Sequence, residues 1–183
     1  VPRDDPAGHS MNHPLLGDPA SVSALGATLR RTALELTAHA DRVRATLDDA
    51  SPGWTGPRAV ATRQRVDRVA ASAAASAATL DECARSLQQS AAELAATTAR
   101  LRALEEEAAA AGLQVRDGTV HRAWGITGVA DAGGEAAGAD RREELQGRVH
   151  QLVSGLGSDR ARLAADCRRA AHELALAAAA LRT

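Results

Sequence analysis

The sequence predicts an all-α fold in which a long antiparallel helical hairpin, closed at a Trp-x-Gly turn, is joined by a third long helix. Two observations carry this prediction. About a quarter of the 183 residues are alanine, which favours helix over strand. Apolar residues also recur at seven-residue steps along three stretches, which segments rich in glycine and proline separate. The length fits one helical domain, which we expect over residues 18–183.

Charge and composition argue against several classes of partner. The chain carries 22 basic and 23 acidic side chains and contains neither phenylalanine nor tyrosine. A near-neutral chain lacks the field that attracts nucleic acid, and it offers few aromatic rings on which bases stack. The sequence also shows no apolar run of membrane-spanning length and no cleaved signal peptide. We therefore expect no nucleic-acid partner, no transmembrane segment and no cofactor.

Residues 1–17 are predicted to be disordered, because they contain three prolines and no helical periodicity. Residues 1–10 resemble an expression-vector remnant and do not enter the fold prediction. The first helix is expected over 19–50, with Asp18 as N-cap and Pro19 at its first position. Its apolar stripe consists of two interleaved seven-residue series, Val22, Leu29, Leu36 and Val43 with Gly26, Ala33, Ala40 and Leu47.

The turn that closes the hairpin has the sequence Ser51-Pro52-Gly53-Trp54-Thr55-Gly56-Pro57. Proline and glycine break helices, and here they surround the largest apolar side chain in the chain. We predict that the turn reverses the chain and that Trp54 plugs the end of the hairpin.

The second helix is expected over 57–111, a length of roughly 80 Å if it is unbroken. A bend would fall most readily in its Ser/Ala stretch, residues 70–78. The first helix is long enough to cover only half of it. We therefore expect part of the apolar stripe of the second half to stay open for a second chain, and the residues assigned to this interaction surface are Leu87, Leu94, Leu101 and Trp124.

An excursion over 112–139 is expected to follow, with Gly112 as the C-cap of the second helix. Its apolar residues alternate around Asp117-Gly118, a pair suited to a type I′ hairpin turn. Residues 127–139 are rich in glycine and alanine and are expected to form a mobile loop. Loops of this length often carry function, so a binding module built from His121, Trp124 and Asp131 is an alternative hypothesis.

The third helix is expected over 140–182, with Asp140 as its cap and Gly155, Gly157 and Ser158 as the site of a kink. If the second and third helices are antiparallel, residues whose numbers add up to about 251 lie opposite each other. Cys83 and Cys167 satisfy this relation and both lie on apolar stripes. We expect them to face each other, either as a disulfide in an oxidising compartment or as two thiols.

Recognisable catalytic chemistry is absent from the sequence. It contains no glycine-rich phosphate loop, no G-x-S-x-G elbow, no H-E-x-x-H and no C-x-x-C. The acidic run Glu105–Glu107 is interpreted as a solvated face opposite Arg141 and Arg142. We expect a protein that is not an enzyme.

Three features together resemble the W-x-G superfamily of type VII (ESX-type) secretion substrates and partners. They are Gly17-Asp18-Pro19 at the start of the first helix, Trp54-x-Gly56 at the turn and the alanine-rich second helix. The resemblance covers residues 17 to about 110. It is stronger to the N-terminal helical modules of larger actinobacterial secreted proteins than to the smallest single-hairpin members.

The resemblance implies a helical hairpin that is exported in folded form, often as a homodimer or heterodimer. In that family the W-x-G turn acts together with a Tyr-x-x-x-acidic signal, commonly on the partner chain. These 183 residues contain no tyrosine. The resemblance implies a location outside the cell or in its envelope, and a partner would then supply the tyrosine signal. The alternative is a cytoplasmic coiled-coil or adaptor protein that is never exported.

Overall fold

The structure, a computed structural model, describes residues 17–50, 52–123 and 132–182, with the backbone alone for 132–135. Over these ranges the predicted fold class is confirmed: three long α-helices with a two-stranded antiparallel sheet between the second and the third. The elements, in chain order, are α1 (Pro19–Ala50), α2 (Pro57–Ala110), β1 (Leu113–Arg116), β2 (Thr119–Arg122) and α3 (Ala132–Ala180). The expected disordered segment 1–17 lies outside the described residues, apart from Gly17.

The first two helices begin where their N-terminal signals predict. Helix α1 begins at Pro19, directly after Asp18, and α2 begins at Pro57. Helix α2 then continues for 54 residues. It passes through residues 70–78, the stretch in which a bend would fall most readily, without a break. Alanine is the strongest helix former, so an Ala/Ser stretch on its own gives no cause for a break.

Helix α3 begins at Ala132, so the expectation of a mobile loop over 127–139 and a helix start at residue 140 is wrong for residues 132–139. Asp140 consequently lies inside the helix. The alanines between residues 132 and 139 favour helix enough to offset the three glycines among them, each of which costs about 1 kcal/mol relative to alanine. The helix also continues unbroken through Gly155 and Gly157.

The chain divides into two compact units. The first contains Glu93–Ser158, which means the end of α2, the β-hairpin and the start of α3. The second contains Ala20–Ala92 and Asp159–Thr183, which means α1, the turn, the start of α2 and the end of α3. The expectation of one helical domain over 18–183 stays a prediction.

The first unit has a core of branched apolar side chains. Leu145 and Val149 of α3 are its most buried large residues, at 1% and 0% exposure. The remaining members come from α2 and from both strands, namely Leu104, Ala108, Leu113 and Val120. Leu94, Leu101 and Leu156 form a second buried cluster in the same unit.

The β-hairpin is joined to α3 by one glutamine side chain. Gln146 Oε1 accepts a hydrogen bond from the Val120 N–H at 2.8 Å, and Gln146 Nε2 donates to the Gly118 carbonyl at 3.1 Å. The turn follows the predicted type I′ pattern, since Asp117 and Gly118 both have positive φ, at 51° and 78°. Strand register pairs Val115 with Val120.

The second unit has a core of small residues. Its buried apolar residues are nearly all alanine, namely Ala33, Ala40, Ala59, Ala70, Ala77, Ala84 and Ala91, with Leu87. Helices α1 and α2 are antiparallel here: Ser23 Oγ donates to Gln88 Oε1 at 3.0 Å, and Arg30 lies 3.7 Å from Asp81. Between these two contacts a Cβ added to Gly26 would lie 3.1 Å from the Ala84 carbonyl oxygen. Small residues therefore set the close approach of the two helices.

In the described part of the chain no helix carries a segment apolar enough, over a sufficient length, to cross a membrane.

Candidate functional site

The candidate site is the turn between α1 and α2, where the backbone conformation requires glycine. Gly53 has a φ of 83° and Gly56 a φ of 101°. Residues with a Cβ are strained in this region. Space is not the constraint, because a Cβ added to either glycine meets no atom within 4 Å. Glycine at position 56 of the Trp54-x-Gly56 motif is thus explained by the geometry of the turn.

Hydrogen bonds join the turn to the first two turns of α2. The Gly56 carbonyl accepts a hydrogen bond from the Val60 N–H at 3.2 Å, which closes the first helical turn. Arg63 Nη2 donates to the Trp54 carbonyl at 3.0 Å. Arg63 was not among the residues predicted to belong to the turn. Its position nine residues after Trp54, on the second turn of the helix, is the signal that identifies it as a partner of the turn.

The side chain of Trp54 remains 40% exposed, so the prediction that it plugs the hairpin end is wrong. The buried residues nearest the turn in sequence are Ala40 on α1 and Ala59 on α2. Helices that meet through such small side chains approach closely and leave little depth for an indole ring. The largest apolar side chain of the turn is therefore available to solvent.

Other large apolar side chains of the second unit are exposed as well. Because its core consists largely of alanine, several leucines and valines of α1 and of the start of α2 are left outside it. Those that remain exposed on the second unit, besides Trp54, are Leu25, Leu34, Val43, Val60, Val69, Leu176 and Leu181. The antiparallel register places Val43 and Val69 at the same level of the hairpin. Among the described residues the first unit exposes one large apolar side chain in this way, Val153.

Three of the four residues predicted to form a partner-contact surface are buried. Leu87, Leu94 and Leu101 are 4%, 8% and 5% exposed. In the first unit, Leu156 packs with Leu94 and Leu101. The expectation of an open stripe there is therefore wrong. The expectation failed because it underestimated how much of this stretch of α2 is covered by α3. The fourth residue, Trp124, lies outside the described residues.

The alternative site in the excursion is only partly described. His121 is exposed on β2, while Trp124 and Asp131 lie outside the described residues. The hairpin residues that face inward, Leu113 and Val120, are part of the apolar core. Within the described ranges, no three His, Cys, Asp or Glu side chains come together as metal ligands would.

The two cysteines face each other in the second unit, with their sulfur atoms 3.9 Å apart. Cys83 lies on α2, Cys167 lies on α3, and both are half-buried free thiols. Burial, followed by the neighbouring Cys167 and by Asp166, raises the pKa of Cys83 to about 11. One helical turn further along, Thr79 Oγ1 donates a hydrogen bond to Glu173 Oε2 at 3.2 Å. These contacts agree with the antiparallel register of the two helices.

In the first unit, Glu107 at the end of α2 joins two arginines of α3. Arg148 Nη1 donates to it at 2.9 Å, and Arg141 forms a second ion pair with it. The hydrogen bond from Arg148 is the largest cause that lowers the pKa of Glu107. Arg141 was expected opposite the acidic run, whereas Arg148 was missed. Its position seven residues after Arg141, on the same helix face, is the signal that identifies it.

Replacing Glu107 with glutamine is expected to lower the free energy of unfolding slightly, and more at neutral pH than in acid. A carboxyl whose pKa is lowered by folding stabilises the folded state above its unfolded pKa, near 4.3. That stabilisation is lost as the pH falls through the folded pKa. Urea unfolding of wild type and of Glu107→Gln between pH 3 and 7 measures the difference.

The matched control is Glu106→Gln, which removes a neighbouring exposed carboxylate. We expect this change to leave the pH dependence close to that of wild type. A pH-independent gap between Glu107→Gln and wild type would contradict the assignment of the ion pairs.

Comparison of the chain with protein-family models, with curated proteins and with solved structures found no match.

Proposed function

We propose that this protein is a type VII secretion-associated W-x-G helical protein, a secreted substrate or a partner of one, and that it acts through protein contacts. The observation that carries the proposal is the exposed indole of Trp54. It lies on a turn held by two glycines with positive φ, between two antiparallel helices. A tryptophan that contributes little to its own core is available to a partner.

The exposed apolar side chains of the second unit support a contact surface that includes the turn. Val43 of α1 and Val60 of α2 flank the turn in sequence, and both are about half exposed. Contiguous exposed apolar patches occur at protein-contact surfaces, and in this proposal the side chains around the turn form such a patch. In this proposal the tyrosine-bearing half of the two-part signal belongs to a partner chain.

Replacing Trp54 with alanine is expected to reduce the amount of protein in the culture medium roughly thirtyfold. Truncation of a central interface tryptophan commonly costs about 2 kcal/mol or more of binding free energy, which corresponds to that factor in affinity. Because Trp54 is 40% exposed, the fold should tolerate the change. Quantitative immunoblots of medium and cell fractions measure the loss, and thermal unfolding confirms that the variant is folded.

The matched control is Leu176→Ala, which truncates another exposed apolar side chain of the same unit, on α3 and not on the turn. We expect it to be exported like wild type. Equal export of Trp54→Ala and wild type would contradict the role of the turn. Absence of the wild-type protein from the medium would favour the cytoplasmic adaptor.

A further inference from the structure

Helix α3 is attached to the second unit by half-buried contacts alone. Between Asp159 and Arg182 none of its residues is fully buried. Its inward residues, Leu163, Cys167, Ala170, Leu174 and Ala177, are all half-buried. Since apolar stabilisation scales with the area removed from water, this segment gains less from packing than the part of α3 that carries Leu145 and Val149.

The facing cysteines lie in the middle of this weakly attached segment. Their sulfur atoms are 3.9 Å apart, so a small rearrangement of side chains brings them to bonding distance, near 2.05 Å. Both thiols are partly accessible to solvent. A cleft of about 10 Å³ lies beside Cys83, lined by Thr79, Glu82, Ser86, Asp166, Arg169, Ala170 and Glu173. It is large enough for about one water molecule, so solvent comes close to the Cys83 side chain.

We propose that Cys83 and Cys167 form a reversible disulfide by exchange with a low-molecular-weight disulfide, and that this bond fastens the end of α3 to α2. The proposal goes beyond partner binding and does not depend on the secretion assignment.

The exchange proceeds in two balanced steps. The thiolate of one cysteine attacks one sulfur of the small disulfide, which forms a mixed disulfide and releases one small thiolate. The thiolate of the other cysteine then attacks the protein sulfur of this mixed disulfide, forms the protein disulfide and releases the second small thiolate. The protein loses two protons and two electrons, and the small disulfide takes up two electrons and two protons to become two thiols.

The two sulfurs react one after the other. Burial and the neighbouring Cys167 raise the pKa of Cys83 to about 11, which disfavours two thiolates side by side. Once one sulfur is in a mixed disulfide it can no longer ionise, and this repulsion between the two sulfurs disappears. The other charged groups around Cys83 are the carboxylates of Glu82, Asp166 and Glu173 and the guanidinium of Arg169, which contacts Asp166 at 2.7 Å.

The test treats the folded 183-residue chain with cystamine, whose ammonium groups suit the acidic surroundings of Cys83. We expect the protein to lose both free thiols and the mass of two hydrogen atoms, with no attached cysteamine. The oxidised protein should melt about 10 °C above the reduced protein, because the bond closes a long loop, and dithiothreitol should reverse the change. Amide hydrogen exchange over 159–182 should become slower.

The control variants Cys83→Ser and Cys167→Ser each retain one thiol and cannot close the bond. We expect each to keep one cysteamine, with no rise in the melting temperature. The proposal is overturned if wild type retains cysteamine on both cysteines or if oxidation leaves its melting temperature unchanged or lower. It is also overturned if the thiols react in urea but stay free in the folded chain.

Discussion

Replacing Leu145 with alanine is expected to lower the free energy of unfolding by about 2–5 kcal/mol. Leu145 is 1% exposed and belongs to the cluster in which α2, α3 and both strands meet. Truncation removes apolar contacts and leaves a cavity lined by residues from three directions, which cannot all move inward together. Urea unfolding followed by circular dichroism measures the loss.

The matched control for this truncation is Leu176→Ala. Leu176 lies on the same helix but is 58% exposed, so we expect a change within about 0.5 kcal/mol. Nearly equal losses for the two variants would contradict the position of the core in the first unit.

Replacing Gly26 with leucine is expected to lower the free energy of unfolding by on the order of 2 kcal/mol. A Cβ at this position would lie 3.1 Å from the Ala84 carbonyl oxygen and 3.0 Å from Gln88 Nε2. The glutamine side chain can move away, but the carbonyl oxygen belongs to the backbone of α2. Helices α1 and α2 would therefore have to separate, which loosens the alanine contacts that depend on their close approach.

The matched control is the same substitution at Gly155 in the middle of α3, where an added Cβ meets no atom within 4 Å. There leucine replaces a poor helix former at no steric cost, and stability should rise by up to about 1 kcal/mol. The opposite signs of the two changes separate steric contact from helix propensity. Stabilisation of both variants would contradict the close approach of α1 and α2.

Local signals along the chain predict most of the fold. Asp18-Pro19 favours a helix start, and Gly112 and Asp117-Gly118 permit the positive φ that a helix end and a type I′ turn require; α1, the end of α2 and the hairpin turn follow these signals. The antiparallel register of α2 and α3 likewise predicts that Cys83 and Cys167 face each other. Such features depend on residues close in sequence or on helix geometry alone.

Three features could not be predicted in this way, because they depend on which residues supply cover from a distance. To predict the burial of Leu87, Leu94 and Leu101, one must know how much of the second half of α2 the other elements cover. The exposure of Trp54 follows from the small residues that bring α1 and α2 together. The early start of α3 reflects a balance between the alanines and the glycines of residues 132–139, which helix propensity alone does not decide.

The difference between the two units has a consequence for the site. A core of leucine and valine leaves few large apolar side chains on the surface of the first unit. Because the core of the second unit is mostly alanine, several of its large apolar side chains are exposed, the tryptophan of the turn among them. The same composition that permits close helix packing thus produces the surface on which the proposed function depends.

The measurement that tests this proposal most directly is the amount of protein in the medium of the native host, with and without its type VII secretion ATPase. Lysis is monitored with a cytoplasmic marker. We predict that the intact protein appears in the medium of the wild-type strain and is lost when the ATPase is deleted. Equal amounts in the two media, or absence from both, would contradict an assignment to type VII secretion.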